Sequence, residues 1–329
     1  MRVAAVHAHG GIEQLKLETW PDPAPKAGEV VIETKACGLN HLDLFVIRGM
    51  PGLPLELPII PGGDFAGVVV AVGEGVRRRW LGRRVVVDPW VIRDGKRISL
   101  GEHANGGLCE KAVAPAENLI PLADEVPFET AAALPIAYGA AYRMLTTRGA
   151  VEAGELVLVI GASGGVGVAS LQLAKLLGAK VIACTLGAAK ADKLRSCGAD
   201  WAIDYGAEDF SAAAWRISER RGVDVVINYT GGDTWVPSLK ALRRGGRLLT
   251  CGATAGFDPK EDIRYIWSRE LTIIGSNGWE RRALRRLLNM AHGGWLKPVI
   301  DRVVPFERLH EALRALRDRE ILGKIIVTP

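Results

Sequence analysis

Residues 156–184, LVLVIGASGGVGVASLQLAKLLGAKVIAC, leave few folds open to this chain. An apolar run ends at Gly161, a glycine-rich turn follows, and a helical pattern to residue 177 leads into a second apolar run. Gly161 permits the tight turn out of the strand, Gly164 lets backbone N–H groups approach a pyrophosphate, and Gly167 lets the helix pack closely on the sheet. Ser163, Gly165 and Val166 complete a loop whose N–H groups face phosphates at a helix N-terminus. Residues 156–174 carry no charge, close to a membrane-spanning length. Their glycines make a poor helix in any setting, so the stretch reads as a buried strand, turn and helix that binds a dinucleotide.

That unit opens a regular alternation. Strands are expected at 156–161, 180–184, 201–203, 223–228, 247–251 and 271–275. Helices are expected between and after them at 166–177, 188–196, 209–221, 235–242 and 280–292. Alternation of this kind builds a doubly wound parallel sheet with helices on both faces. Before residue 122 the rhythm differs. Short β-branched runs at 2–6, 29–36, 65–72, 83–87 and 109–114 are separated by proline and glycine punctuation such as PDPAPKAGE and MPGLPLELPIIPGG. This predicts an irregular, mostly antiparallel β domain. A C-terminal strand (301–304), helix (306–317) and strand (324–327) have the register to rejoin it. The expected division is 1–122 with 294–329, and 123–293.

Composition excludes several classes. With 329 residues, 48% apolar and 24% charged, the chain can bury a core without staples and is neither disordered nor fibrous. The net charge of +5 comes from scattered basic residues interleaved with acids, which speaks against a nucleic-acid partner and suits an anionic cofactor. Five cysteines, an odd number with no CxxC spacing, argue against a disulfide framework and for a reducing compartment. The N-terminal MRVAAVHAHGGIEQ has no signal-peptide core. A cytoplasmic protein with no membrane partner is expected.

Which dinucleotide binds is read at the end of the second strand, where NAD sites place an acid. Here the chain runs Ala183-Cys184-Thr185-Leu186-Gly187, with no carboxylate until Asp192. Lys190 follows within reach of a 2′-phosphate, and on spacing alone it reads equally well as a solvated helix residue.

Nearly the whole chain resembles the medium-chain dehydrogenase/reductase superfamily: ACGLNHLD at 36–43, PGGDFAGVVVAVGEGV at 61–76, GEHANGG at 101–107, GASGGVG at 161–167 and LGKIIV at 322–327. The resemblance implies a GroES-like domain, an inserted Rossmann domain and a C-terminal return. Zinc alcohol dehydrogenases of this superfamily hold catalytic zinc with a Cys, a His and a further Cys or acid. Cys37 is at the first position, but Gly-His-Glu is replaced by Gly62-Gly63-Asp64, and the third position falls near Ala132. The four-cysteine loop for structural zinc would lie within residues 88–100, which contain no Cys. Neither zinc site is therefore expected. Cys37 reads as a buried apolar residue and Asp64 as structural.

Loss of both zinc sites together with GASGGVG looks like the quinone oxidoreductase branch. There a Lys and a Tyr fifteen residues apart flank the 2′-phosphate of NADPH, and Lys190 and Tyr205 have that spacing. A small hydroxyl residue of that branch falls at Leu186, with Thr185 beside it as substitute. NADP(H) is thus expected over NAD(H). The resemblance also lays the backbones around Asn228, Gly252, Ser276 and Asn277 along the ribose and nicotinamide, with Gly323-Lys324 closing over the cofactor. Asn40, His41 and Asp43 are implied beside the nicotinamide, Asn40 as a polar contact to cofactor or substrate and Asp43 as a possible loop anchor. A Tyr common in that branch is replaced by Phe45, which leaves His41 and His103 as acid/base candidates. Trp90, Ile136, Trp267 and Trp279 are candidates for an apolar cleft wall.

The expected activity is zinc-independent hydride transfer from NADPH to a small quinone or α,β-unsaturated carbonyl. Alcohol or aldehyde dehydrogenation and an NADPH-binding regulatory role with little turnover are the alternatives. The resemblance implies a homodimer that pairs the edge strand near 271–275, and an exposed edge strand of that apolarity needs covering.

Overall fold

The second half of the chain folds as its alternation requires. In a computed structural model, which describes residues 1–50, 54–93 and 95–329, six parallel strands form one sheet. Their spatial order is Trp201–Asp204, Lys180–Thr185, Leu156–Ile160, Val223–Ile227, Leu242–Thr250 and Thr272–Gly275. That is the 3-2-1-4-5-6 order of a doubly wound sheet. Its central strands are covered on both faces, so they are almost continuously apolar, and Leu158, Ile160, Ile182, Cys184, Val226 and Leu248 share one core. The last strand is at an edge, and Ile273 on it stays 39% exposed.

The backbone gathers into two compact units, Met1–Ile136 with Leu284–Pro329, and Ala137–Ala283. The first is built on a mostly antiparallel sheet. Glu29–Gly38 is its long central strand, pairing with Asp64–Val72, Lys111–Pro115 and Lys324–Thr328. Arg84–Val87 and Leu119–Pro121 extend one side, and Ile300–Pro305 adds in parallel to Lys324–Thr328 on the other. The Leu309–Arg317 helix buries Leu309, Ala312, Leu313 and Leu316, one face at 3.6-residue periodicity, against this core. The Pro51–Leu53 part of the proline-rich punctuation and Asp94 lie outside the described residues.

Residues 88–100, where a zinc-binding loop would fall, contain a hairpin. Trp90–Arg93 pairs antiparallel with Lys96–Ser99 from Trp90↔Ser99 to Arg93↔Lys96. Val91 faces the core, and Asn118 Nδ2 donates to the carbonyls of Asp88 at 2.8 Å and Trp90 at 2.6 Å. The Arg97 guanidinium lies 4.1 Å from the Trp90 ring centroid, a cation–π contact that covers the hairpin's outer face. Among the described residues no helix is long and apolar enough to cross a membrane.

Candidate functional site

In the Ala137–Ala283 unit the glycine loop has the shape its sequence demands. Gly161 takes φ +69°, and its carbonyl accepts from Gly164 N–H at 3.0 Å and from the Tyr229 hydroxyl. A Cβ at Gly167 would come within 2.5 Å of both the Gly161 oxygen and Tyr229 Oη, and 2.6 Å from Ala162 Cα. Only a glycine lets the helix approach this closely. Gly164 caps the Gly165–Leu176 helix without any side-chain cap, so N–H groups of the first turn are left to an anion. A dinucleotide pyrophosphate fits this loop. Tyr229, which pins it, was not singled out by the motif. Its signal is an aromatic with a hydroxyl two residues beyond the Val223–Ile227 strand.

The end of the second strand joins the same loop. Thr185, 1% exposed, donates its hydroxyl to Ser163 Oγ at 3.0 Å, and Thr185 O accepts from Tyr205 N–H at 3.0 Å. Lys190 N–H donates to Gly187 O, so Lys190 and Tyr205 are carried on segments that flank one turn. The Tyr205 ring meets Phe210 edge-on, with centroids 6.4 Å apart. At the sixth strand Ser276 is buried and its Oγ has no hydrogen-bond partner, a polar atom suited to a ligand. Gly252 and Asn277 are exposed at neighbouring strand ends. The Asn228 side chain is spent on its own turn. Its Nδ2 donates to Thr234 and Ser238, and its Oδ1 accepts from the N–H groups of Thr230 and Gly231, so its amide serves to lock the turn. Trp279 is core, stacked where a Cβ on Gly139 would meet its ring at 2.9 Å, whereas Trp267 is 68% exposed.

In the other unit the segments 36–43, 62–64, 132–136 and 322–327 converge on one buried network. A Cβ on Gly38 would come 2.4 Å from Ala132 O. Asp64 Oδ1 accepts from Ile136 N–H at 2.8 Å; Asp64 Oδ2 accepts from Asn40 Nδ2 at 2.8 Å and Lys324 Nζ at 2.9 Å. Lys324 Nζ also donates to Asn40 Oδ1 at 2.6 Å and Leu39 O at 2.8 Å. With only 2% of its surface exposed, Lys324 has its three ammonium hydrogens committed inward. Its side chain is thus spent within this network, and any part the 322–327 segment has toward a cofactor falls to its backbone. Asn40 is likewise held, because its second amide hydrogen goes to Gly38 O at 3.3 Å.

Asp43 reaches back from the first turn of the His41–Arg48 helix to accept from Asn40 N–H at 2.7 Å, and its other oxygen accepts from Gly62 N–H at 2.9 Å. It is a loop anchor and is not free for catalysis. Burial dominates its acidity and raises its pKa to about 6 against these two hydrogen bonds. Burial, followed by the charges of Arg319 and Lys324, lowers His41 to about 4, so its imidazole is neutral near pH 7. Phe45 is half-buried with Arg48 stacked over its ring at 5.2 Å. His103 Nδ1 lies 3.5 Å from Glu102 Oε2, and burial raises the pKa of that carboxyl.

These donors do not fit a zinc ion. Zinc takes about four N, S or O ligands in tetrahedral array. Cys37 is fully buried, a Cβ on Gly62 would press on its sulfur at 2.7 Å, and burial holds its thiol pKa well above the usual range. The space beside Gly63 is filled by Ile136 and the Leu100 carbonyl, each 3.0 Å from where a Cβ would be. Both Asp64 oxygens are taken. Among the described residues no group of three His, Cys, Asp or Glu is placed to hold a metal.

Comparison with known proteins gives a consistent picture. Residues 26–124 match the alcohol dehydrogenase GroES-like domain, and residues 165–293 match the zinc-binding dehydrogenase family. The chain is 32% identical to the synaptic vesicle membrane protein VAT-1 homolog of Rattus norvegicus, covering 100% of this chain and 84% of that protein. It is 32% identical to the acryloyl-coenzyme A reductase of Sulfurisphaera tokodaii, covering 99% of each. Identity to the quinone oxidoreductase of Homo sapiens is 31%, over 95% of this chain and 92% of that one. Among solved structures, one described as an NAD-dependent alcohol dehydrogenase superposes with a TM-score of 0.93 at 34% identity, covering 100% of both chains.

Proposed function

The chain belongs to the medium-chain dehydrogenase/reductase superfamily and is an NAD(P)H-dependent oxidoreductase; on that premise we propose that it reduces a quinone or α,β-unsaturated carbonyl without zinc, with NADPH preferred over NADH. The observation that carries this reading is Asp64. It occupies the segment where zinc-dependent members keep ligands, yet both its oxygens are hydrogen-bonded to Ile136, Asn40 and Lys324. A metal would polarise a carbonyl or help an alcohol lose its proton. Without one, the acceptor must bring its own electrophilicity, as quinones and enones do. Two relatives, a quinone oxidoreductase and an acryloyl-coenzyme A reductase, carry names of that acceptor class.

Bound NADPH supplies the hydride. The loop from Gly161 to Gly167 holds the pyrophosphate, Thr185, Lys190 and Tyr205 hold the phosphorylated ribose, and Ser276, Asn277 and Gly252 line the nicotinamide end. Asn40 is presented in one fixed orientation, and His41, neutral near pH 7, offers an N–H donor to the acceptor. The proton that completes the reduction comes from water. The chain acts on small molecules as a cytoplasmic homodimer paired along the Thr272–Gly275 edge.

The test is loss of reduced-nicotinamide absorbance with metal-stripped protein, using an ortho-quinone and an unsaturated thioester as acceptors. Turnover with NADPH, slower with NADH, supports the proposal. Inactivity on both acceptors, with alcohol oxidation restored by added zinc, would establish instead the alcohol dehydrogenase reading that the NAD-dependent structural neighbour favours. Tight NADPH binding without turnover on any acceptor would favour a regulatory binder.

A further inference from the structure

The turn between the Lys180–Thr185 strand and the Ala188–Ser196 helix holds a carboxylate that the motif does not announce. Asp204 ends the third strand of the sheet directly across from Thr185. Its Oδ1 accepts from the N–H of Gly187 at 2.9 Å and of Gly206 at 3.0 Å. The outer side of the turn is uncovered. Leu186 is 55% exposed, and a Cβ on Gly187, where φ is +98°, would meet nothing within 4 Å. Thr185 ties this turn to Ser163 of the glycine loop, and the segments carrying Lys190 and Tyr205 flank it.

In a doubly wound sheet the adenosine ribose lies against the end of the second strand. An acid there takes the 2′-hydroxyl of NAD, and a cation accommodates the 2′-phosphate of NADP. The second strand of this chain ends without an acid, but the third delivers one to the same turn. We infer that Asp204 is a specificity-determining residue of the cofactor site: its carboxylate accepts the ribose hydroxyl of NADH and repels the 2′-phosphate of NADPH. It therefore opposes Lys190 and Tyr205 and keeps both cofactors usable. Two effects act together. The carboxylate charge raises the energy of a nearby phosphate, and the N–H groups of Gly187 and Gly206 already serve the protein's own anion instead of a phosphate oxygen.

This inference rests on the dinucleotide reading above, and the experiment separates the two. Calorimetric titration of the full chain with 5′-AMP and with 2′,5′-ADP reads the contribution of the 2′-phosphate. Asp204→Asn removes the charge while its Oδ1 can still accept both glycine N–H groups. The affinity ratio of 2′,5′-ADP to 5′-AMP should rise by about tenfold in the variant, and kcat/KM for NADPH over NADH should move the same way. A ratio that is unchanged or falls overturns the role of Asp204 and leaves the cofactor site standing. Failure of both nucleotides to bind wild type and variant overturns the dinucleotide reading and the inference with it. Should Asp204→Asn not fold, Asp204→Ser keeps an oxygen acceptor and decides the matter by the same ratio.

Discussion

Replacing Lys324 by Met removes an ammonium that three buried oxygens share and leaves the Asp64 carboxylate, 0% exposed, without its cation. Breaking a buried pair from one side costs about 3–5 kcal/mol, whereas neutralising both partners costs much less. Urea unfolding should therefore show Lys324→Met strongly destabilised and Lys324→Met/Asp64→Asn more stable than that single variant. A double variant no better than Lys324→Met would mean the pair contributes through packing instead of charge. Gly167→Ala tests the other unit. Its Cβ would meet the Gly161 oxygen and Tyr229 Oη at 2.5 Å, so overpacking should cost roughly 1–3 kcal/mol and weaken NADPH binding. Unchanged melting temperature and affinity would show that the loop can yield. Gly167 was legible in the sequence because its reasons are local, in a turn of seven residues from Gly161 to Gly167. The Lys324 contact was not, because its partner Asp64 is 260 positions away and neither residue's neighbours announce the pairing.

The His41–Arg48 helix carries two opposed titrations in its first turn. Asp43 has a folded pKa of about 6, above its ordinary value of 3.8. Its contribution to stability is full below the unfolded pKa and is lost as pH rises through about 6. His41 has a folded pKa of about 4, below its ordinary 6.5. Its contribution is present above 6.5 and is lost as pH falls through about 4. Between these values the two slopes have opposite signs. In Asp43→Asn, stability should rise from pH 4 to 6.5, and in His41→Gln it should fall from pH 4 to 6, each steeper than wild type by denaturant midpoint. Parallel profiles in all three proteins would refute the opposition.

At this same scale the strands and helices after residue 156 were readable because their apolar periods switch cleanly from strand to helix. The Trp90–Ser99 hairpin was not, although Asp94-Gly95 between two runs is a strong hairpin signal. The segment that lacks the zinc-binding cysteines closes by backbone pairing instead. The Pro135–Arg143 helix was missed as well, since its Ala and Gly residues give little amphipathic contrast.

For the whole molecule, the proposed dimer rests on the Thr272–Gly275 edge, with Ile273, Ile263 and Trp267 exposed at 39%, 65% and 68% nearby in sequence. Sedimentation should give a dimer, and Ile273→Lys a monomer; a dimer that survives the substitution moves the interface elsewhere. Dialysis against a chelator should leave the melting temperature unchanged, and a drop reversed by zinc would show a metal in the fold. One consequence concerns synthesis of the chain. The Lys324–Thr328 strand lies between Ile300–Pro305 and Glu29–Gly38, strands far apart in the sequence. While the ribosome is still making residues before 324, the emerging N-terminal segment carries Asp64 with no counter-charge to accompany it into a core. The Ala137–Ala283 unit, contiguous in sequence, can mature on the nascent chain. The first unit cannot complete its sheet until residues 300–328 have been made.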